Sequence, residues 1–495
     1  MLAASDQPHQ PLYRQLAMHY QGAMERGTLA AGVRMPSVRE LMRRHAVSLS
    51  TALQALRHLE EMGHLQARPR VGYFVSEPAI AALAAAAEPD LRMPLPLDEN
   101  QFIGINERIS MVLEKGRLAQ VRVDLGSATP AAGLFDTALI NRTAAALLRE
   151  QPDLLVANRP LQATHPDFQA VMARRALDAG VQLAPQDILA TSGNSQAVSL
   201  ALAALAQPGD MVAVESPTYY GLLQAIEAQS LQALEIPSSP RTGISLEALE
   251  LAIRTQPRLK AAVVIPHLQT PQGAVMPDAN KEGLVALCRE HNLAVIEDDS
   301  YGAFVESAQP LKPVKAWDTS GQVIYCVSMN KTLAPGLRQG WMNAGRWHAR
   351  VQMLKSAQTQ STPAWGQLLA ARCMATPAYD RHFQRIKAQL RSQRERMAQA
   401  IAKHFPAGTR LSLPPGGVSL WLELPEGVSS SVLFEQALQQ GIRVSPGPLF
   451  SNTGRYERFL RLVCGMPFSP EVEWACGELG RLAQRLQAGS ERAKS

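Results

Sequence analysis

Apolar residues recur at helical spacing near the start of the chain. Leu12, Leu16, Ala17, Tyr20 and Met24 predict a first helix of about four turns, and "AAGVRMPS" breaks the pattern. Ser37 stands three residues before Glu40, the arrangement of a capping box, and predicts the start of a short helix over "VRELMRRHA". A further cap at Ser48 or Ser50 opens the stripe Ala52, Leu56, Leu59 and Met62, which ends at Gly63. "LQARPRVGYFVSE" closes the segment with two short β-prone runs around Pro69 and Gly72, the pattern of a hairpin. Together these predict a winged helix-turn-helix over residues 1–76, the second helix of the pair being the one that enters a major groove.

After residue 76 the chain shifts to Ala, Pro and acidic residues without an amphipathic stripe, so 77–119 is assigned to a linker, with "AIAALAAAA" able to be partly helical. From 120 to 485 short apolar runs ("DILAT", "MVAVES", "AAVVIP", "LAVIEDD", "VIYCVSM") alternate with helical stretches. Buried strands separated by helices predict a large α/β domain around a mostly parallel sheet, with a smaller α+β subdomain over about 375–485.

Composition adds three bounds. A chain that is 46% hydrophobic and 19% charged is not a disordered one. No run approaches the roughly 18 apolar residues of a membrane span, the start lacks a basic-then-apolar leader, and the five cysteines show neither CxxC nor metal-ligand spacing. The expectation is therefore a cytoplasmic protein with free core thiols, no metal site and no membrane partner. Residues 1–76 carry nine Arg and no Lys against five acidic residues, net +4 of the chain's +6, which favours an anionic partner for that segment.

Candidate chemistry falls at the carboxyl ends of the predicted strands, where ligands of such sheets bind. In "SMNKTLAPGLRQGW", Lys331 is an amine able to form an imine, Arg338 offers a fork of donors suited to phosphate, and Ser328 adds a hydroxyl. Pyridoxal 5′-phosphate has both matching groups. In "AVIEDDSYGAF", a carboxylate can hold a pyridine nitrogen protonated and a tyrosine three residues on can hydrogen-bond the ring oxygen. Asp298 and Tyr301 have that spacing, Asp299 being the competing carboxylate. Gly193, Asn194 and Ser195 stand at a strand-to-helix junction suited to phosphate, Tyr219 offers an aromatic face, and Arg461 in "RFLRLVCG" is suited to a carboxylate.

"MPSVREL", "VSLSTALQAL" and "ARPRVGYFV" resemble the winged-helix domain of the GntR family of bacterial regulators. That resemblance implies contacts to double-stranded operator DNA from Arg39, Ser48, Ser50 and Thr51, with Arg34, Arg70 and Gly72 near phosphate. Leu49 departs from relatives that carry Arg there. The five later pieces, in order, resemble fold-type I aminotransferases of the aspartate aminotransferase superfamily, and the fusion resembles the MocR subgroup of GntR regulators. This implies Lys331 as the Schiff-base and catalytic residue, Asp298 at the pyridine nitrogen, Arg461 at a carboxylate, and a homodimer. Departures are Thr270 in "HLQTPQG" where an Asn is usual, with His267 or Gln269 as substitutes; Arg159, Phe168 and Gln169 in place of a Tyr and an "LR" pair; and Asn330 before the lysine. The expected function is a transcriptional regulator that binds pyridoxal 5′-phosphate and senses it, an amino acid or another amine. The alternative is an active aminotransferase with a DNA-binding domain attached.

Overall fold

The computed structural model describes residues 11–494 except 26–27, 31, 69–70, 77–82, 89–103, 157–163, 308–310, 361 and 454. The chain divides into two units, Met1–Ala82 and Leu83–Ser495.

In the first unit α1 (Leu12–Glu25), α2 (Val38–His45) and α3 (Leu49–Glu61) precede a hairpin of β1 (Leu65–Arg68) and β2 (Gly72–Val75). The predicted capping box is present: Ser37 Oγ accepts from the Glu40 N–H at 3.3 Å, and the Ser37 N–H donates back to Glu40 Oε2 at 2.9 Å. Ala46, in the left-handed region at φ 53°, closes α2, and Ser48 rather than Ser50 caps α3. Leu16, Leu41, Ala52, Leu56 and Leu59 fill a small core between the helices and the hairpin. The Met35 N–H donates to Tyr73 O and the Val75 N–H to Val33 O, so residues 33–35 lie along β2 as an added strand.

The second unit begins inside the range expected to be linker. α4 (Ile105–Leu118) buries Ile105 and Ile109, one turn apart, against the main core; the Gly104 N–H donates to Glu227 Oε1 at 2.7 Å and Arg108 donates to Ser451 O at 2.9 Å. The assignment of 77–119 as linker is corrected to that extent. Its charged residues hide a stripe of Ile105, Ile109 and Val112 that has a surface to cover. Upstream, residues 83–88 lie on the smaller sheet described below.

β3 (Val123–Asp124), α5 (Thr137–Glu150) and α6 (Pro166–Asp178) lead to the main sheet of β4 (Ile188–Thr191), β5 (Met211–Ser216), β6 (Gln232–Ser239), β7 (Gly243–Ile244), β8 (Leu259–Val264), β9 (Ala294–Asp299), β10 (Val323–Ser328) and β11 (Gly340–Asn343). Its order is β4-β11-β10-β9-β8-β5-β6-β7, parallel from β10 to β6, with β11 antiparallel to both neighbours. α7 (Asn194–Leu205) and α8 (Tyr220–Glu227) follow β4 and β5. Phe168, one of the departures noted above, is a fully buried core residue, and Gln169 donates to Ile188 O at 3.1 Å.

A 28-residue helix, Pro377–His404, leads to the smaller sheet of β12 (Arg410–Ser412), β13 (Ser419–Glu423), β15 (Ser445–Pro446) and β16 (Phe459–Val463). β14 (Ile442–Arg443) pairs instead with β3, so this layer takes in chain from both sides of the main sheet. The Leu411 N–H on edge strand β12 donates to Ala84 O at 2.9 Å, and the Ala87 N–H donates to Glu423 Oε2 at 2.7 Å. All five cysteines are buried and free. Among the described residues no helix is long and apolar enough to cross a membrane, and no cluster of His, Cys, Asp and Glu is arranged to hold a metal.

Candidate cofactor and ligand site

One cavity of about 290 Å³ is lined by Lys331, Asp298, Tyr301, Ser328, Arg338, Asn194, Ser195, Tyr219 and Arg461. These nine second-unit residues selected in sequence therefore meet in one place. The reason is topological. β4, β5, β9 and β10 all end at the same edge of the sheet, and the turn after each strand delivers its residues there.

Gly193 and α7 form one wall. Gly193 caps the helix at φ 82° without a side-chain cap, leaving the first N–H groups of α7 open to the cavity. A Cβ at Gly193 would lie 3.0 Å from Asn330 Nδ2 and 3.5 Å from Arg338 Nη2, so the glycine makes room for both to converge on the helix start. Arg338 sits at φ 51° after a turn of 3₁₀ helix and forms no ion pair among the described residues. Ser328, at the end of β10, accepts from the Asn330 N–H at 3.3 Å, while Asn194 Oδ1 and Asn330 Oδ1 are buried without partners.

Lys331 Nζ stands 4.3 Å from the centre of the Tyr301 ring. Burial lowers its pKa, opposed by Tyr219 and Asp298, which favours the neutral amine an imine requires. Burial pushes the Tyr219 hydroxyl up to about 12. Tyr219 is packed against Tyr220 with ring centres 4.9 Å apart, and its ring folds back over Gly221, where a Cβ would fall 2.6 Å from it. The Tyr301 hydroxyl donates to Ala128 O at 3.0 Å, so donation to a ring oxygen requires that it turn away.

The two adjacent carboxylates have different surroundings. Asp298 lines the cavity; burial raises its pKa, opposed by the Ser300 N–H at 3.1 Å and by Lys331. Asp299 faces the other side of β9. Burial pushes its carboxyl up, but His267 Nδ1 at 3.1 Å, the Tyr325 hydroxyl at 2.7 Å and the Gly302 N–H at 3.0 Å together hold it below the usual range. Lys281 Nζ lies 3.1 Å from His267 Nε2 and can donate to it, which commits His267 to this buried chain and away from the cavity. Gln269 is likewise committed, donating to Pro217 O, whereas Thr270 lines the cavity.

Arg461, fully buried on β16, donates from Nη2 to Gly126 O at 2.6 Å and to Ser445 Oγ at 3.0 Å. Its Nε and Nη1 have no partner, and no carboxylate among the described residues forms an ion pair with it. A buried guanidinium with idle donors on a cavity wall fits an anionic ligand. Sequence reasoning missed Ser300, Asn330, Ser445 and Arg443 as lining residues, as well as Val112 and Leu113 of α4. For the last two the signal was the stripe inside the assumed linker.

In the first unit Arg34, Arg39, Ser48 and Ser50 are exposed and Thr51 and Gly72 are half-buried; Arg70 lies outside the described residues, as does Arg159. Ser48 Oγ is 2.8 Å from both Ser50 Oγ and Thr51 Oγ1, so the three hydroxyls are gathered at the start of α3. The Arg34 guanidinium packs over Gly72, where a Cβ would lie 3.2 Å from Nε.

The larger unit is thus a class I and II aminotransferase domain by fold, carried behind a helix-turn-helix. The family description "Aminotransferase class I and II" matches residues 132–477, and "Bacterial regulatory proteins, gntR family" matches 12–75. The uncharacterized HTH-type transcriptional regulator YjiR of Escherichia coli is 33% identical over 96% of this chain and 99% of its own length. The HTH-type transcriptional regulator TauR of Rhodobacter capsulatus is 28% identical over 88% of this chain and 89% of its own. Among solved structures, Pyrococcus horikoshii kynurenine aminotransferase superposes with a TM-score of 0.70 at 25% identity, covering 80% of this chain and 96% of that one. LysN, the α-aminoadipate aminotransferase of Thermus thermophilus, gives 0.69 at 26%, covering 79% and 100%. The chain belongs to the MocR-type regulators, which join a gntR-family DNA-binding domain to an aminotransferase domain.

Proposed function

We propose that this DNA-binding regulator holds pyridoxal 5′-phosphate in the cavity of its second unit and responds to an amino acid or related amine that reaches the bound cofactor. The supporting observation is one cavity that contains both a desolvated lysine and a fully buried arginine with unpaired donors, beside an open helix start that a Cβ at Gly193 would obstruct.

In this reading Arg338, Ser328, Ser195 and the N–H groups of α7 would hold the phosphate, and Lys331 would supply the amine for the aldehyde. Asp298 would hold the proton of the ring nitrogen, a counter-charge that the buried carboxylate otherwise lacks. Tyr219 covers a ring face. The bound cofactor supplies an electrophilic carbonyl and an electron sink for bonds at an amino-bearing carbon. Arg461 holds the ligand's carboxylate, Tyr219 and Tyr220 close the site against water, and Lys331 is the one amine placed to take or return a proton. Thr270, in place of the usual Asn, would offer the cofactor a hydroxyl in place of an amide N–H. DNA is met by Arg39, Ser48, Ser50 and Thr51 at α2 and α3, with Arg34, Gly72 and Arg70 toward phosphate. The protein acts as a homodimer in the cytoplasm, each chain presenting one winged helix to a half-site.

Borohydride treatment of protein loaded with the cofactor, followed by peptide mass mapping, tests the reading. The expected result is a pyridoxyl adduct at Lys331 that is absent from Lys331→Ala. An unlabelled Lys331 in protein that has taken up the cofactor sinks it.

A further inference from the structure

We infer that the ligand sensed in this cavity is an amino acid with one carboxylate and an apolar side chain, and that Val112 and Leu113 of α4 select it. The inference rests on the cofactor reading above and adds the class of ligand.

Apolar side chains also line the cavity. Val112 and Leu113 face it from α4, Leu222 from α8, and Phe434, Val444 and Leu449 from the smaller layer. Gly116 lies four residues on from Val112 and three from Leu113, so it adjoins both on the helix surface. That surface rests on Arg443, where a Cβ at Gly116 would lie 2.8 Å from Cδ. Ser445, which accepts from Arg461, is two residues along the chain from Arg443, so the carboxylate end and the α4 wall are adjacent parts of one pocket.

Of the cations that line the cavity among the described residues, Lys331, Arg338 and Arg461 have roles above; Arg443 is the one that remains for a second acidic group, and it is already engaged. Its Nε donates to Asp124 Oδ1 at 3.0 Å and its Nη2 to Oδ2 at 2.6 Å, a two-pronged pair. Asp124 in turn accepts from the Gly126 N–H at 2.9 Å, which fixes the carboxylate in place. A ligand with an acidic side chain would have to displace this pair, and one with a cationic side chain would meet a neutralised carboxylate. An apolar side chain displaces nothing and covers Leu113, which is 43% exposed in its absence. Hydrophobic pockets of this kind discriminate by about tenfold or more for each methylene that fits.

Cofactor-loaded protein is titrated with L-leucine, L-alanine and L-glutamate, followed by cofactor absorbance, and separately with 4-methylpentanoate and glutarate by calorimetry. The last two lack the amine and report the pocket alone. Leucine should bind at least tenfold more tightly than alanine or glutamate, and 4-methylpentanoate more tightly than glutarate. Leu113→Asp, at a half-exposed position that tolerates a charge, should weaken leucine and 4-methylpentanoate about tenfold while alanine changes less than twofold. Tighter binding of glutamate and glutarate, or equal losses for leucine and alanine in Leu113→Asp, would overturn the inference. If 4-methylpentanoate binds as expected but no amino acid alters the absorbance, the sensing reading falls and this pocket assignment stands.

Discussion

Replacing Arg461 by Met separates a residue kept for binding from one kept for folding. The guanidinium is fully buried, and only Nη2 is satisfied, by Gly126 O and Ser445 Oγ. An unpaired buried charge carries an effective desolvation cost of several kcal/mol. Against that, Met removes the donor shared by Gly126 O and Ser445 Oγ, a loss of about 1–3 kcal/mol, although Gly126 O keeps the Ser445 hydroxyl at 3.3 Å. The aliphatic body of Met keeps the packing on Phe450, whose ring centre lies 5.1 Å from the guanidinium carbon. The difference favours the variant: ligand-free Arg461→Met should be more stable by about 1–3 kcal/mol. Removing one partner of a desolvated charge pair costs about 2–5 kcal/mol in binding, so carboxylate affinity should fall by about 30-fold or more. Hydrogen exchange at the β16 amides reads the first quantity and calorimetry with a carboxylate reads the second. A variant that loses about 2 kcal/mol of stability and binds carboxylates as before would show that Arg461 serves the fold, refuting the argument from its idle donors.

Burial pushes the Glu215 carboxyl up to about 8, opposed by the Ile265 N–H at 2.8 Å and by Ser238. A carboxyl raised in the folded state binds more protons than its unfolded counterpart between about pH 4.5 and 8, so this group's contribution to stability declines as pH rises through that window. Glu215→Gln should flatten the profile, and unfolding midpoints from pH 5 to 8 that keep the wild-type slope would contradict this. Arg39→Ala should weaken operator binding about tenfold and leave cofactor absorbance intact; operator affinity equal to wild type would remove Arg39 from the DNA contacts. Ser37→Ala deletes the capping box and should cost about 1 kcal/mol locally. Faster exchange of the α2 amides checks it, and protection equal to wild type would count against the cap.

Strand-forming runs whose first four or five residues are apolar, such as "MVAVES" and "VIYCVS", were readable because a strand buried on both faces has little other composition available. β6 escaped notice because it carries Glu235 and Pro237. Its carboxylate is tolerable because Ser216 on β5 and, over two hundred residues away, Ser451 and the Asn452 N–H satisfy it. α4 escaped for a related reason: its apolar stripe is short, and what it covers is remote in sequence. Motif residues around Lys331 and Asp298 were legible since the turn after each strand fixes their spacing. Asp298 and Asp299 could be told apart in sequence by the tyrosine spacing alone. In the fold they separate plainly, because only the second meets His267 and Tyr325.

The hydrogen bonds from Leu411 to Ala84 and from Ala87 to Glu423 have a practical consequence for any shortened version of the protein. A sheet margin with open N–H and C=O groups invites pairing with a neighbouring molecule. Residues 83–88 shield the margin at β12, so a fragment beginning at 104 should be stickier and less soluble than one beginning at 83, although both keep every residue that lines the cavity around Lys331.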